Sequence, residues 1–327
     1  MGNKNQQMKH KTSVGGQALI EGIMMNGPKG AAMAVRVPDG SIDLEYKDVK
    51  HIRDKVKFLG IPVVRGVVNF IETMIFGYKC LMESAEKSGF ADIETEEENL
   101  SKLDKWINEH WGEKAMNLIT GIASVLGIAL AFFLFFWLPT VIVNFIKTHV
   151  SFDLTNYRAL IEGIMRMIIF IVYMAAVSQM KDIKRTFMYH GAEHKTIFCY
   201  ENGEELTVEN VRKQSRFHPR CGTSFMFVMI ILSVLVSSAV SIAFPHLRDI
   251  TALWMIVKLL LLPIVMGLGY EFIKYAGRHD NLFVKILSAP GLWMQRLTTK
   301  EPDDDMIEVG IAAFKAVITD NPEDDAI

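Results

Sequence analysis

Four long apolar runs constrain this chain more than any other feature. Leu118 to Ile146, Ala159 to Met180, Phe225 to Phe244 and Ala252 to Ala276 each reach the roughly 20 apolar residues needed to cross about 30 Å of hydrocarbon. A lipid core offers no partner to backbone N–H and C=O groups, so such runs predict membrane-crossing helices. Half of the 327 residues are hydrophobic and the formal net charge is −2, which suits a polytopic protein with sizeable water-exposed parts and gives no reason to expect nucleic acid. The expected fold class is therefore an α-helical polytopic membrane protein. It has about four transmembrane helices, one interfacial or re-entrant helix and a small N-terminal β-rich cytoplasmic unit.

The cations orient these runs. The first loop carries Lys147 and Arg158 and the third carries Arg248, whereas Lys181, Lys184, Arg185, Lys195, Arg212, Lys213, Arg216 and Arg220 crowd the middle loop. Lys274, Arg278 and Lys285 follow the fourth run. The positive-inside rule then predicts a multi-pass protein of the inner (plasma) membrane with both termini and the middle loop in the cytoplasm. The polar N-terminus has no apolar core resembling a signal peptide, so insertion is expected to depend on an internal segment.

The rest of the chain divides around the runs. Residues 1–57 are expected to form the β-rich cytoplasmic unit, because Ala31 to Val37, Pro38-Asp39-Gly40 and Ser41 to Tyr46 have the pattern of a hairpin with turn chemistry at its tip. Gly15, Gly16, Gly22, Gly27 and Gly30 suit turns and bulges, or a close approach of the backbone to a ligand. Residues 58–117 are expected to hold an interfacial helix and an acidic linker. Between Phe58 and Met82, Arg65, Asn69, Glu72 and Lys79 form one polar stripe on an otherwise apolar helix, which favours an interfacial or re-entrant placement over a full span. Ser84 to Asn117 suggests a solvated linker and a surface helix with Trp106 and Trp111 at the headgroups. Residues 118–276 make the transmembrane bundle, with the cytoplasmic loop 181–224 inserted in it. Residues 277–327 form a cytoplasmic tail whose amphipathic helix, Asp303 to Asp320, places Ile307, Ile311, Phe314 and Ile318 on one face to pack on the cytoplasmic unit.

Chemistry concentrates in the middle loop. Thr186 to Ser224 contains three of the nine histidines and two of the three cysteines. Within it, His190-Gly-Ala-Glu193-His194 has the spacing H-x-x-E-H. On a helix, residues i and i+4 stack, so the two rings can hold one metal ion with Glu193 beside them. This is the inverted form of the zinc-protease motif, in which the glutamate is a general base. The same spacing also suits a polar helix whose histidines cap carbonyls or pair with Glu193. Lys181 to Tyr200 is expected to continue the second span as one helix, placing His190 roughly 15 Å beyond Met180. Glu201 to Glu205 is a turn, Thr207 caps a short helix, and His218 to Gly222 is an extended return to the membrane that brings His218 and Cys221 back toward the pair.

Ionisable groups within spans are costly and mark function by default. Glu162 and Arg166, at i and i+4, are expected to form a structural ion pair. Lys258 lies partway into the fourth span, and Glu271 near its inner end is a further candidate ligand. Cys80, Cys199 and Cys221 are too scattered for a disulfide framework and are expected as thiols or ligands. Ala-Leu-Ile-Glu-Gly-Ile-Met occurs at Ala18 to Met24 and at Ala159 to Met165, but the identity does not extend on either side and implies no duplicated domains.

With these residues assembled, the chain resembles the YqhQ-like family of bacterial integral membrane proteins of unassigned function, described as predicted metal-dependent enzymes. The resemblance rests on Gly15 to Met25, Val64 to Val68, Tyr189 to Lys195, Leu206 to Lys213 and His218 to Phe225, and covers most of the chain up to about Glu271. The family label implies metal dependence and no particular reaction.

Two functional expectations stand side by side. The first is a metal-dependent enzyme of hydrolase or protease type at the cytoplasmic membrane face. In it, His190 and His194 bind a divalent ion, zinc by the donor set, and His218, Cys221 or Glu271 supplies a third ligand. Glu193 acts as base, and Arg220 or Arg278 stabilises a developing oxyanion. The second is a non-enzymatic transporter or assembly factor in which His190, His194, His218 and Cys221 close a structural zinc site. The expected surroundings are the lipid bilayer, with a second copy or another membrane protein as open partner classes. The substrate is not legible in the residues.

Overall fold

The computed structural model of the protein describes residues 10–49, 57–90, 118, 121–149, 157–248, 250–279 and 281–326. Four strands, β1 (Gly15–Leu19), β2 (Gly22–Gly27), β3 (Gly30–Arg36) and β4 (Ile42–Lys47), form an antiparallel sheet in the order β1-β2-β3-β4. The expected hairpin is β3–β4. Its tip closes with Val37 N–H donating to the Ser41 carbonyl at 3.0 Å, and Gly40 takes the left-handed φ of 87° that a side chain would resist. Tight turns at Ile20-Glu21 and Pro28-Lys29 complete the meander.

The nine helices of the described residues are α1 (Val64–Lys87), α2 (Gly121–His149), α3 (Arg158–Val177), α4 (Lys181–Glu201), α5 (Val208–Lys213), α6 (Gly222–Ala243), α7 (Thr251–Arg278), α8 (Leu282–Thr298) and α9 (Asp304–Val317). The molecule divides into two compact units. One comprises Met1–Ala91, Met174–Phe227 and Gly267–Ile327, and the other Asp92–Tyr173 and Val228–Met266.

The first unit is built on the sheet, and both sheet faces are covered. Ile23, Met25, Ala32 and Ala34 pack with residues of α4 and α9, while Leu19, Met24, Ala31, Met33 and Val35 pack with Cys80, Phe76 and Leu81 of α1. Successive residues of a strand face opposite ways, so a strand covered on both sides becomes an unbroken apolar run. That is why Ile-Met-Met and Ala-Ala-Met-Ala-Val show no alternation. Leu19, Ile23, Met25, Met33, Ile307 and Phe314 are all at most 1% exposed, and each contributes about 1.5–3 kcal/mol of burial. α9 starts one residue later and ends three residues earlier than expected, and its apolar face packs on the sheet-bearing unit. Met306, Ile307, Val309, Gly310, Ile311, Ala313, Phe314, Ala316 and Val317 are all buried, because the helix is held between the sheet and α4.

Four helices are long and apolar enough to cross a membrane: Gly121–His149, Arg158–Val177, Phe225–Ala243 and Thr251–Arg278. They match the four apolar runs to within a few residues. Ile128, Ile242 and Leu260 are 72%, 78% and 71% exposed on them, which calls for an apolar solvent. α1 is not among them. Its stripe is used for pairing, with Arg65 donating to Glu271 and Asn69 Nδ2 donating to the Tyr270 hydroxyl at 2.7 Å, while Ile71, Met74, Ile75, Tyr78 and Met82 are exposed.

Several expectations need correction. The second span does not continue into α4. Residues 178–180 form a turn, and Met180 at ψ 135° is extended, so a new helix begins at Lys181. The return after His218 is a turn, closed by Cys221 N–H donating to the His218 carbonyl at 3.4 Å. Glu162 does not pair with Arg166. Arg158 and Lys258 take its carboxylate, and Arg166 donates to the Phe135 carbonyl at 2.9 Å and to Ser233 Oγ at 2.7 Å. α1 runs on to Lys87, into the stretch expected as linker, while the surface helix with Trp106 and Trp111 lies outside the described residues. One expectation needs no change: Cys80, Cys199 and Cys221 are free thiols.

Candidate metal centre

α4 carries the H-x-x-E-H spacing through the middle of the first unit. Tyr189, Gly191, Ala192, Glu193, His194, Lys195 and Thr196 are all buried, so the helix is a core element with polar chemistry inside it. Gly191 is required there, because a Cβ would strike the Lys300 carbonyl. The His190 and His194 rings are neighbours as their spacing implies, meeting edge to face with centroids 4.3 Å apart and planes at 64°.

Each ring is oriented by a backbone carbonyl. His190 Nδ1 donates to Thr298 O at 2.8 Å, and His194 Nδ1 donates to Arg216 O at 2.6 Å. A carbonyl can only accept, so each Nδ1 bears a proton, which leaves Nε2 as the nitrogen whose lone pair can serve a metal. Cys221 enters from the turn before α6, its Sγ 3.2 Å from His190 Nε2. One ligand atom from each of His190, His194 and Cys221 lies within 4.8 Å of the others.

Glu193 stands beside this cluster and is 5% exposed. The Gly16 backbone lies close to its carboxylate and favours the charged form slightly, but Oε2 is buried with no hydrogen-bond partner. Burial pushes the carboxyl up to about 7, against the lowering effect of His190 and with a raising effect from Cys221. Burial also lowers His194, helped by His190. Gly16 explains part of the glycine-rich β1: a Cβ would lie 2.7 Å from Met24 O and Met25 Sδ and 3.1 Å from Glu193 Cδ. These glycines were expected to serve turns and bulges or to admit a ligand; at Gly16 the space is taken by the chain's own Met24, Met25 and Glu193.

The other expected ligands sit elsewhere. His218 is buried with its ring centroid 5.6 Å from that of His194, but its Nε2 faces Glu201 Oε2 at 3.4 Å. Burial lowers its pKa, opposed by Glu201. Glu271 is gripped by Arg65 through Nε at 2.7 Å and a terminal nitrogen at 2.5 Å, and is not in the cluster. A bidentate guanidinium satisfies an acid at the edge of an apolar helix without any metal. Arg220, an expected oxyanion stabiliser, donates to Glu201, and Arg278 is exposed at the end of α7.

Three positioning groups were not legible in the sequence. Thr298 and Arg216 act through backbone carbonyls, which leave no trace in residue type. Gln295 is fully buried on α8, where its Oε1 accepts from His218 N at 2.8 Å and its Nε2 donates to His218 O at 2.7 Å. It clamps the turn that delivers Cys221. A lone glutamine among Pro290, Leu292, Trp293, Met294 and Leu297 was the available signal.

The donors present suit a divalent ion of borderline softness such as zinc, which takes imidazole nitrogen and thiolate sulfur. The cluster offers three donor atoms, one fewer than the four that close a structural zinc site.

The uncharacterized protein YqhQ of Bacillus subtilis (strain 168) is 36% identical over 313 residues, covering 95% of this chain and 94% of that protein. No solved structure matches. The family model described as "Protein of unknown function (DUF1385)" matches residues 61–320, a stretch containing His190, Glu193, His194 and Cys221, and the chain belongs to this YqhQ-like family.

Proposed function

We propose that the protein is a multi-pass membrane enzyme of hydrolase type, with a zinc ion held by His190, His194 and Cys221 at the cytoplasmic membrane face. The observation that carries this reading is Glu193 Oε2, a buried carboxylate oxygen without a partner directly beside three convergent ligands. Membrane placement is supported by the four apolar helices, and the cytoplasmic side by the cation-rich loop.

A divalent metal at such a site supplies Lewis acidity that acidifies water and polarises a substrate oxygen. The chain does the rest. Thr298 and Arg216 fix the two imidazoles so that both present Nε2. Glu193 accepts a proton on Oε2 and returns it to the leaving group, while the Gly16 backbone packed against its carboxyl group limits where the carboxylate can turn. Gln295 and the turn at Pro219 hold Cys221 in reach. A closed structural site would need His218 as fourth ligand, and its pairing with Glu201 weighs against that alternative.

The test uses growth complementation together with metal analysis of the purified full-length protein. Glu193→Gln should retain metal and folding but lose complementation, because size is kept and the base removed. His190→Ala should lose both. Full complementation by Glu193→Gln, with His190→Ala inactive, would sink the hydrolase reading and leave a structural metal.

A further inference from the structure

The second unit has a charged interior of its own. Arg158, Glu162 and Arg166 lie on α3 and Lys258 on α7. Lys258 Nζ donates to Thr140 Oγ1 at 2.9 Å and pairs with Glu162, whose other oxygen accepts from Arg158 Nε at 3.1 Å. Glu162 is the only carboxylate among the described residues of this unit, and Lys258 takes one of its oxygens. Arg166 is left with neutral acceptors, the Phe135 carbonyl and Ser233 Oγ, and its guanidinium lies 5.4 Å from the centroid of the Phe136 ring.

The acceptor at Phe135 exists because of the sequence. Pro139 has no N–H to give to the carbonyl four residues before it, and α2 adopts a π turn over Phe133–Trp137 immediately ahead of it. The freed carbonyl holds Arg166 in place. Beside it is a cavity lined by Arg166, Lys258, Ser233 and Ser237 with apolar walls that include Phe136 and Leu262. Arg166 is the ninth residue of α3, about 12 Å from its start by helical rise, which is near mid-depth of the span. An excess of positive charge at that depth is costly unless an anion offsets it.

We propose that this cavity binds one singly charged anionic group, gripped by Arg166 and Lys258. Ser233 and Ser237, whose hydroxyls donate to the Ile230 and Val234 carbonyls, can turn toward it without stranding those carbonyls, which keep their helical donors. The cavity admits a small group only, so the ligand is either a free monovalent anion or the carboxylate head of a fatty-acid-like amphiphile whose tail lies in the bilayer.

The experiment measures thermal unfolding of the purified full-length protein in a neutral detergent with gluconate as the background anion. Sodium chloride is titrated in one arm and sodium laurate in the other. A saturable rise in the unfolding midpoint is expected in at least one arm, and a response to laurate alone identifies the amphiphile. Arg166→Gln should weaken the apparent affinity about 10–100-fold through loss of a charge-assisted bond, Lys258→Met should do the same, and Arg166→Lys should keep part of it. Metal content of the His190–His194–Cys221 cluster should be unchanged in all three. Absence of a saturable shift with both probes, or an undiminished shift in Arg166→Gln, overturns the proposal; if that variant fails to fold, the wild-type arms and Arg166→Lys decide.

Discussion

Replacing Gln295 with Leu should weaken metal binding although Gln295 touches no ligand atom. Its two hydrogen bonds, at 2.8 and 2.7 Å, serve the N–H and C=O of His218, three residues before Cys221. Leucine fills the space but strands the buried His218 N–H, at about 1–3 kcal/mol, while the His218 carbonyl keeps only the 3.4 Å bond from Cys221 N–H. The turn can recover this by opening to water, and opening withdraws Cys221 from the histidine pair. Binding of the ion must then close the turn again, which costs about 2 kcal/mol at the middle of that range, or roughly 30-fold in affinity. That falls within the range expected for groups that orient ligands. Competition with a chromogenic zinc chelator on the purified protein measures the affinity directly. Gln295→Glu, which still accepts from His218 N–H but cannot donate to its carbonyl when ionised, should fall between leucine and wild type. Affinity within about threefold of wild type for Gln295→Leu would refute the clamp.

Gly16→Ala should lower stability by about 1–3 kcal/mol and abolish complementation, since its Cβ would press on Met24, Met25 and Glu193; an alanine variant that melts and complements like wild type contradicts the packing. Glu271→Gln should leave metal stoichiometry untouched and cost at most about 1 kcal/mol, because the Arg65 pair is partly exposed; loss of metal would restore Glu271 as a ligand. Glu45 is held down to about 2, from an ordinary 4.5, by Lys47 and Lys87. A lowered folded-state pKa gives stability that is present above about 4.5 and lost as pH falls toward 2, so Glu45→Gln should flatten acid destabilisation in that window. Parallel wild-type and variant curves there would count against the pairing.

What the sequence determined by itself follows from local rules. Four apolar runs of membrane-crossing length set the four long helices, and the i, i+4 geometry of a helix set the neighbouring pair His190 and His194. The Thr207 cap was equally local, its side chain accepting from Asn210 N–H at 3.3 Å. The heptapeptide Ala-Leu-Ile-Glu-Gly-Ile-Met shows where such rules stop. At Ala18 to Met24 it ends β1, turns through Glu21 at φ 51° and begins β2, whereas at Ala159 to Met165 it lies wholly within α3. Identical residues took two structures because their surroundings differ: β3 and the helices covering the sheet bury the first copy, and the second continues into an apolar run of membrane length. Which candidates come together was decided the same way. His218, Cys221 and Glu271 were equal candidates by residue type, and only the fold separates them in space. Arg65 came from α1 to take Glu271, Glu201 faced His218, and Gln295 held the turn that carries Cys221 to the histidines. Those partners are 206, 17 and 77 residues away from the groups they engage, so no local pattern records the pairing.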